Sequence, residues 1–123
     1  MTDDFRPTKK VKKIRESDVE AAFVARVKSL GGIAYKFTSP SRRAVCDRLV
    51  LMPKGRCSFC ELKAPGEKPT AAQQREHVLL WSLGFVVDVI DNVPDAKAWL
   101  PPDERLRPDG RPIDTAINAK KPL

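Results

Sequence analysis

The sequence predicts an α+β fold, an α/β sandwich in which helices flank a mixed sheet in the chain order αβββαβ. Two stretches show the helical spacing of apolar residues and end at Gly31 and Gly84. Three β-rich runs lie between them, and a fourth follows the second stretch. At 123 residues the chain is long enough for one compact domain and too short for two ordinary ones.

The first helix is predicted to start at Ser17, because Ser17 to Glu20 has the S-x-x-E form of a capping box. Glu20 would then return a hydrogen bond to the helix start. The apolar residues that recur at helical spacing are Val19, Ala22, Phe23, Val27 and Leu30. They predict one buried stripe, which ends at Gly31 and Gly32.

The four strands are predicted from alternation and from residues that favour strands. The first strand covers residues 33–37 and leads into a polar, basic loop at 38–43. A hairpin covers residues 47–63 and turns at 53–55. Residues 85–90 form the fourth strand.

Two further helices complete the predicted domain, which spans residues 16–100. Thr70 to Gln73 has the T-x-x-Q form of a second capping box and opens a helix that stops at Gly84. A short third helix is expected from about Pro94 to Leu100. Residues 1–15 are predicted to be a basic flexible arm and residues 101–123 a proline-rich tail.

The formal charge of +7 favours a polyanion such as nucleic acid as the partner. No run of about 18 apolar residues could span a bilayer and no leader is apparent, so we expect a cytoplasmic protein without a membrane partner. Cys57 and Cys60 form a C-x-x-C motif, but only Cys46 and His77 could complete a zinc site. We expect neither a zinc nor a redox role for this pair and no small-molecule cofactor.

The register of the hairpin brings two acids together. If residues 53–55 form a three-residue turn, Met52 pairs with Arg56 and Asp47 lies opposite Glu61, with Cβ atoms about 5 Å apart. Lys63 projects to the same face, because side chains alternate along a strand. A turn of two or four residues would instead separate the two acids onto opposite faces.

Two carboxylates at that spacing either share a proton or hold a cation between them. Oxygen ligands suit Mg²⁺ or Mn²⁺, and Mg²⁺ usually retains waters and substrate phosphate. The alternative is a solvated strand face on which Lys63 neutralises Glu61 and Asp47 merely opens its strand.

Asp47 followed by Glu61-Leu62-Lys63 resembles the D…E-x-K motif of the PD-(D/E)XK nuclease superfamily. More closely, residues 16–91 resemble the stand-alone VRR-NUC nucleases of phages and bacteria. The matching segments are ESDVEAAFVARVKSLGGIAYKF, SPSRRAVCDRLVL, ELKAPGEKPTAAQ and REH. The resemblance implies a restriction-endonuclease-like core.

The resemblance also implies roles for single residues. Asp47, Glu61 and the backbone carbonyl of Leu62 would bind Mg²⁺ or Mn²⁺. Lys63 would orient or activate the attacking water, and Gln73 would lie beside the site.

The first helix would supply a further acid, for which Glu20 matches better and Glu16 is the alternative. Glu20 and Gln73 each also occupy the third position of a predicted capping box, and the two roles are compatible. Cys46 stands where the family usually has Pro, and Ala44 stands where the family often has Gly. We interpret both differences as altered loop geometry. His77 is expected to lie at the edge of the core rather than to act as a base.

The activity implied is metal-dependent hydrolysis of DNA, selective for branched, nicked or Holliday-junction-like structures, by a homodimer. Lys36, Arg42 and Arg43 would bind phosphates on the loop before Asp47, although a solvated basic loop is the simpler interpretation. The alternative from another class is a non-catalytic DNA-binding module on a nuclease-like fold.

Overall fold

The computed structural model describes residues 12–106 and 109–111. Most of the predicted basic arm and most of the proline-rich tail therefore lie outside the described residues. The elements in chain order are α1 (Glu16–Ser29), β1 (Ile33–Lys36), β2 (Arg48–Met52), β3 (Arg56–Leu62), α2 (Ala71–Ser82), β4 (Val87–Ile90) and α3 (Val93–Ala98). Short 3-10 turns occur at Pro53–Gly55 and Pro102–Glu104.

The four strands form one mixed sheet in the order β1-β2-β3-β4. The first three pair antiparallel, whereas β4 pairs parallel to β3 after the chain has crossed over through α2. A parallel neighbour requires such a crossover, because a tight turn can only reverse the chain. The predicted α+β fold with a mixed sheet is confirmed.

The hairpin turn has the predicted length of three residues. Met52 pairs with Arg56, and the register continues to the pair of Arg48 and Cys60. Lys54 and Gly55 both have positive φ, at 71° and 73°, and glycine accepts this conformation without strain. Because the register is maintained, Asp47 and Glu61 occupy the next paired positions beyond Arg48 and Cys60.

Helices cover both faces of the sheet. On one face, α1 and α3 pack over a core that includes Phe23, Val50, Leu62 and Trp99, with the rings of Phe23 and Trp99 edge to face and their centroids 5.4 Å apart. On the other face, residues of α2 pack over a smaller cluster formed by Cys46, Phe59 and Val87. The predicted arrangement of helices on both sides of the sheet is therefore confirmed.

The predicted cap of α1 is wrong. The helix begins at Glu16, so Ser17 lies inside its first turn and Arg15 is the N-cap residue. The Asp18 carboxylate accepts a hydrogen bond of 2.8 Å from the Arg15 backbone N–H. Asp18 therefore performs the capping function that the sequence assigned to Glu20, and the Glu20 side chain is available for other contacts.

The fourth strand starts at Val87, two residues later than the predicted Phe85. The reason is local: the Phe85 N–H donates to the Leu80 carbonyl at 3.0 Å and so belongs to the end of α2. Gly84, with φ of 98°, allows the chain to turn there.

The start of the predicted tail packs on the domain. Pro101 is fully buried, and Arg105 forms an ion pair with Asp88 of β4. Arg56 at the start of β3 pairs with Asp103 and Glu104. These contacts extend the packed part of the chain to residue 105.

Among the described residues, every helix is too short or too polar to cross a membrane.

Candidate active site

Asp47 and Glu61 lie next to each other at one end of the hairpin, before the start of β2 and near the end of β3. Asp47 immediately precedes β2 and its carboxylate accepts a hydrogen bond of 2.8 Å from the Leu62 N–H of β3. Its backbone carbonyl accepts a second bond, of 2.9 Å, from Phe37. Glu61 lies beside it, close enough for the two carboxyl groups to interact through charge and through a hydrogen bond when one is protonated. The hairpin register thus produces the predicted carboxylate pair.

The Glu61 side chain is only 1% exposed. Burial raises the pKa of Glu61, and the charge of Asp47 raises it further, whereas a hydrogen bond from His77 and the charge of Lys63 lower it. The net effect is a pKa above the ordinary value. The neighbouring groups therefore do not compensate the cost of burying this charge.

Lys63 and Gln73 approach the same oxygen of Glu61. The Lys63 Nζ lies 3.8 Å from Glu61 Oε2, and the Gln73 Nε2 donates to that oxygen at 3.1 Å. The Gln73 Oε1 also accepts a bond of 2.9 Å from the Thr70 N–H at the start of α2. One side chain therefore caps the helix and contacts Glu61 at the same time.

The two glutamates of α1 lie in different surroundings. Partial burial raises the pKa of Glu20, but hydrogen bonds and charge from Arg48 and Lys36 outweigh it and the net pKa is lowered. The Arg48 Nη2 lies 2.7 Å from Glu20 Oε2. Arg48 follows Asp47 in the chain, so its side chain points to the opposite face of the sheet, toward α1. Glu20 therefore has its partners on the α1 face, whereas Asp47 and Glu61 point toward the α2 face.

Glu16, one helical turn before Glu20, interacts through charge with Asp47 of the acid pair. Burial raises the pKa of Glu16, the Asp47 carboxylate raises it further, and Lys63 lowers it. Glu16 is exposed. Of the two helical acids considered from the sequence, Glu16 is the one whose charge interacts with Asp47 and Lys63.

The three predicted phosphate-binding residues differ in how they are paired. Lys36 Nζ lies 3.4 Å from Glu20 Oε2, with the lysine side chain 64% exposed. Arg42 donates from Nε to Glu76 Oε1 at 3.0 Å, and Glu76 is buried. Arg43 is exposed, and no carboxylate among the described residues pairs with it.

A second group of side chains meets at Glu61. Ligand atoms of Cys46, Glu61 and His77 all lie within 4.8 Å of one another, and all three residues are buried. The His77 Nε2 is 3.4 Å from Glu61 Oε1, the oxygen that does not contact Gln73 or Lys63. Burial and the nearby carboxylates raise the pKa of the Cys46 thiol to about 12.

The C-x-x-C pair does not take part in this group. Cys57 is exposed, whereas Cys60 is buried in the core beneath α1. Residues three apart on a strand point to opposite faces, so the two thiols cannot share a ligand. A cavity of about 230 Å³ beside Cys57, Gly84 and Pro102 also lies away from the acid pair.

Known proteins resemble this chain in sequence and in fold. No family model matches the chain. The chain is 56% identical over 79 residues to "Putative nuclease p44" of Acyrthosiphon pisum secondary endosymbiont phage 1, a match that covers 64% of this chain and 85% of that protein. A solved structure described as "VRR_NUC domain" is similar with a TM-score of 0.63 and 30% identity, over 68% of this chain and 90% of the other. The chain belongs to the VRR-NUC family of nucleases.

In this VRR-NUC nuclease the fold brings together four of the residues singled out from the sequence, Asp47, Glu61, Lys63 and Gln73. His77 also contacts Glu61, and the Cys46 sulfur lies within 4.8 Å of both, although neither residue was considered part of the site. Their position beside Glu61 depends on how α2 packs against the loop before β2, and a linear motif does not contain that information. The only signals in the sequence were an unusual residue before Asp47 and a histidine four positions after Gln73.

Proposed function

We propose that this VRR-NUC nuclease is a deoxyribonuclease that requires Mg²⁺ or Mn²⁺ and hydrolyses phosphodiester bonds. The observation that carries the proposal is the buried Glu61 carboxylate beside Asp47, with its pKa raised by burial and by that second acid. A site of this kind is stabilised when a cation neutralises the charge.

The donor atoms suit a hard divalent ion. Asp47 and Glu61 offer carboxylate oxygens, and the Leu62 carbonyl lies between Glu61 and Lys63 in the chain. We propose these three as the metal ligands. Glu16 is proposed as the acid from the first helix that supports them, because it interacts with Asp47 whereas Glu20 is already paired with Arg48.

A bound Mg²⁺ or Mn²⁺ would supply Lewis acidity to a phosphodiester oxygen and would make water a better nucleophile. Lys63 holds a positive charge 3.8 Å from Glu61, where it can orient the attacking water and stabilise negative charge on the phosphate. Gln73 is fixed by Thr70 and holds the Glu61 carboxylate in one orientation. These residues would therefore act by positioning and by charge rather than by forming a covalent intermediate.

The proposed substrate is DNA with a branched, nicked or junction-like structure, cleaved in the cytoplasm of a bacterial or phage-infected cell. The charge of +7 and the exposed Arg43 support contacts to phosphates. Lys36 and Arg42 would contribute after exchanging their carboxylate partners for phosphate. Such contacts position the backbone and carry no base sequence directly.

A homodimer is proposed through an apolar patch on β1 and β2. Ile33 and Tyr35 are each 52% exposed on an edge strand of the sheet, and Leu51 beside Ile33 is 37% exposed. Exposed apolar side chains that cluster on one face indicate a protein contact. Light scattering should give a dimer mass for the wild type and a monomer mass for Tyr35→Lys.

The decisive experiment uses end-labelled DNA in single-stranded, duplex, nicked, flap and four-way-junction forms, with Mg²⁺, Mn²⁺ or EDTA. Cleavage should require the metal, favour the branched or nicked forms and disappear in Glu61→Gln. The control is Glu20→Gln, which removes a carboxylate that already has basic partners. DNA binding without cleavage on every substrate would refute the proposal and favour a non-catalytic DNA-binding module.

A further inference from the structure

The two oxygens of Glu61 face different chemistry. Gln73 and Lys63 approach Oε2, and the His77 ring nitrogen lies 3.4 Å from Oε1. Cys46 completes the second group, with its ligand atom within 4.8 Å of those of His77 and Glu61. One carboxylate thus connects an oxygen-rich group with a group that contains sulfur and nitrogen.

The second group has the composition of a zinc site. Zinc bonds sulfur at about 2.3 Å and nitrogen or oxygen at about 2.0–2.2 Å, so ligand atoms on one tetrahedral ion lie about 3.5 Å apart. The distance of 3.4 Å from His77 Nε2 to Glu61 Oε1 already matches this spacing. The Cys46 sulfur needs at most a small side-chain adjustment, given that the three atoms lie within 4.8 Å. Three protein ligands also leave a fourth position open for water.

We propose that Cys46, His77 and Glu61 form a binding site for Zn²⁺ and similar borderline ions, and that Zn²⁺ bound there inhibits the nuclease by withdrawing Glu61 from the Mg²⁺ site. Metal binding by these residues is independent of the proposed function. The inhibition rests on that function.

The type of ligand atom decides which ion occupies which group. Thiolate and imidazole favour Zn²⁺ and Co²⁺, whereas carboxylate and carbonyl oxygens favour Mg²⁺ and Mn²⁺. A metal ion displaces the thiol proton when it binds cysteine. Because Cys46, Glu61 and His77 come from the loop before β2, from β3 and from α2, a bound ion would also tie the helix to the sheet.

Cobalt provides a direct test because Co²⁺ bound to thiolate absorbs light in the near ultraviolet, whereas Zn²⁺ is silent. Co²⁺ alone is titrated into the full chain as the wild type, Cys46→Ser, His77→Gln and Cys57→Ser. We expect a thiolate-to-cobalt band that saturates at one equivalent in the wild type and is abolished by addition of Zn²⁺. The band should be retained in Cys57→Ser, whose exposed thiol is the matched control, and lost in Cys46→Ser.

Two results would overturn the site. A wild-type protein without the band, or a band that persists in Cys46→Ser, excludes Cys46 as a ligand. Circular dichroism on each variant checks that loss of the band does not reflect unfolding, and His77→Gln should weaken Co²⁺ binding at least about tenfold while leaving the thiol intact.

The second experiment measures Zn²⁺ inhibition of Mg²⁺-supported cleavage, each variant being compared with its own activity in Mg²⁺ alone. The Zn²⁺ concentration for half-inhibition should rise at least about tenfold in Cys46→Ser and stay unchanged in Cys57→Ser. If Zn²⁺ inhibited Cys46→Ser and Cys57→Ser at the same concentration, the inhibition would not depend on Cys46. The proposal that Zn²⁺ bound at this site withdraws Glu61 would then be overturned. A cobalt band in a protein that cleaves no DNA would refute the proposed nuclease mechanism and leave the metal site intact.

Discussion

Glu20 and Glu61 are both carboxylates withdrawn from solvent, yet their pKa values move in opposite directions. Burial raises both, but Arg48 and Lys36 reverse its effect at Glu20, whereas at Glu61 the second acid Asp47 adds to it. The Arg48 guanidinium donates to Glu20 through both Nε and Nη2, at 3.1 and 2.7 Å. The fold thus pairs the partly buried Glu20 with its own cations and leaves the fully buried Glu61 without sufficient counter-charge.

This difference separates the ion pair of Glu20 and Arg48 from the proposed metal site at Glu61. Perturbed carboxylates occur in both settings, so a pKa shift alone does not distinguish them. Here the direction of the pKa shift and its cause distinguish Glu61 from Glu20. A buried acid that lacks sufficient counter-charge from the protein lowers the stability of the fold but is able to bind a metal ion.

The largest expected effect comes from Glu61→Gln. The substitution keeps the shape of the side chain and removes the charge that the proposed metal requires, so cleavage should fall by at least about 10³-fold. Because the buried charge is also removed, Tm without metal at neutral pH should rise by about 4 °C, which corresponds to about 1 kcal/mol in a domain of this size. Calorimetry and single-turnover cleavage measure the two effects.

Saturating Mg²⁺ should raise the Tm of the wild type and not that of Glu61→Gln. A variant less stable than the wild type in EDTA would show that Glu61 is compensated within the protein, and the contrast with Glu20 would be lost.

A second comparison separates Glu16 from Glu20. Glu20→Gln breaks the contact with Arg48 and should lower the free energy of unfolding by about 1–2 kcal/mol, with little change in cleavage per folded molecule. Glu16→Gln should leave stability nearly unchanged and reduce cleavage by about 10–100-fold. Urea denaturation and cleavage rates on the same preparations provide the comparison. The reverse pattern would identify Glu20 as the helical acid.

The third prediction concerns pH in the absence of metal. Because the folded pKa of Glu61 is raised, the folded protein holds a proton above the ordinary value of 4.5 where the unfolded chain has released it. The Tm advantage of Glu61→Gln should therefore be greatest at neutral pH, shrink as the pH falls through the raised pKa and be absent below the ordinary value of 4.5.

Glu20 should show the opposite dependence. Its folded pKa is lowered, so its stabilisation is complete above the ordinary value of 4.5 and is lost as the pH falls through the folded pKa. Calorimetric scans of the wild type, Glu61→Gln and Glu20→Gln from neutral to acidic pH test both signs. If the Tm differences of Glu61→Gln and Glu20→Gln from the wild type changed with pH in the same direction, the contrast between the two acids would be contradicted.

The smallest expected effect concerns Arg43, and it extends the comparison from the two acids to two arginines. Arg43 has no carboxylate partner among the described residues, unlike Arg48, so it is free to bind phosphate. Arg43→Gln should weaken DNA binding uniformly across sequences and reduce the salt slope of log K by about 1. Lys28→Gln, an exposed charge in the last turn of α1, is the matched control and should bind as the wild type does. Equal slopes for both variants would remove Arg43 from the DNA interface.

The sequence by itself determined the features that follow from local periodicity. A three-residue turn and the alternation of side chains were sufficient to place Asp47 opposite Glu61, because both properties belong to the backbone of one hairpin. The T-x-x-Q motif likewise predicted the cap made by Thr70 and Gln73, a contact that spans three residues.

Only the tertiary structure decided what surrounds that hairpin. The S-x-x-E motif at Ser17 suggested a cap, but a competing cap at Arg15 and Asp18 left Glu20 free to pair with Arg48, 28 residues away. The contact of His77 with Glu61 likewise depends on how α2 packs on the sheet. Local spacing determines which residues share a face, whereas the partners of a charge depend on helix packing, which the backbone periodicity of a single segment does not contain.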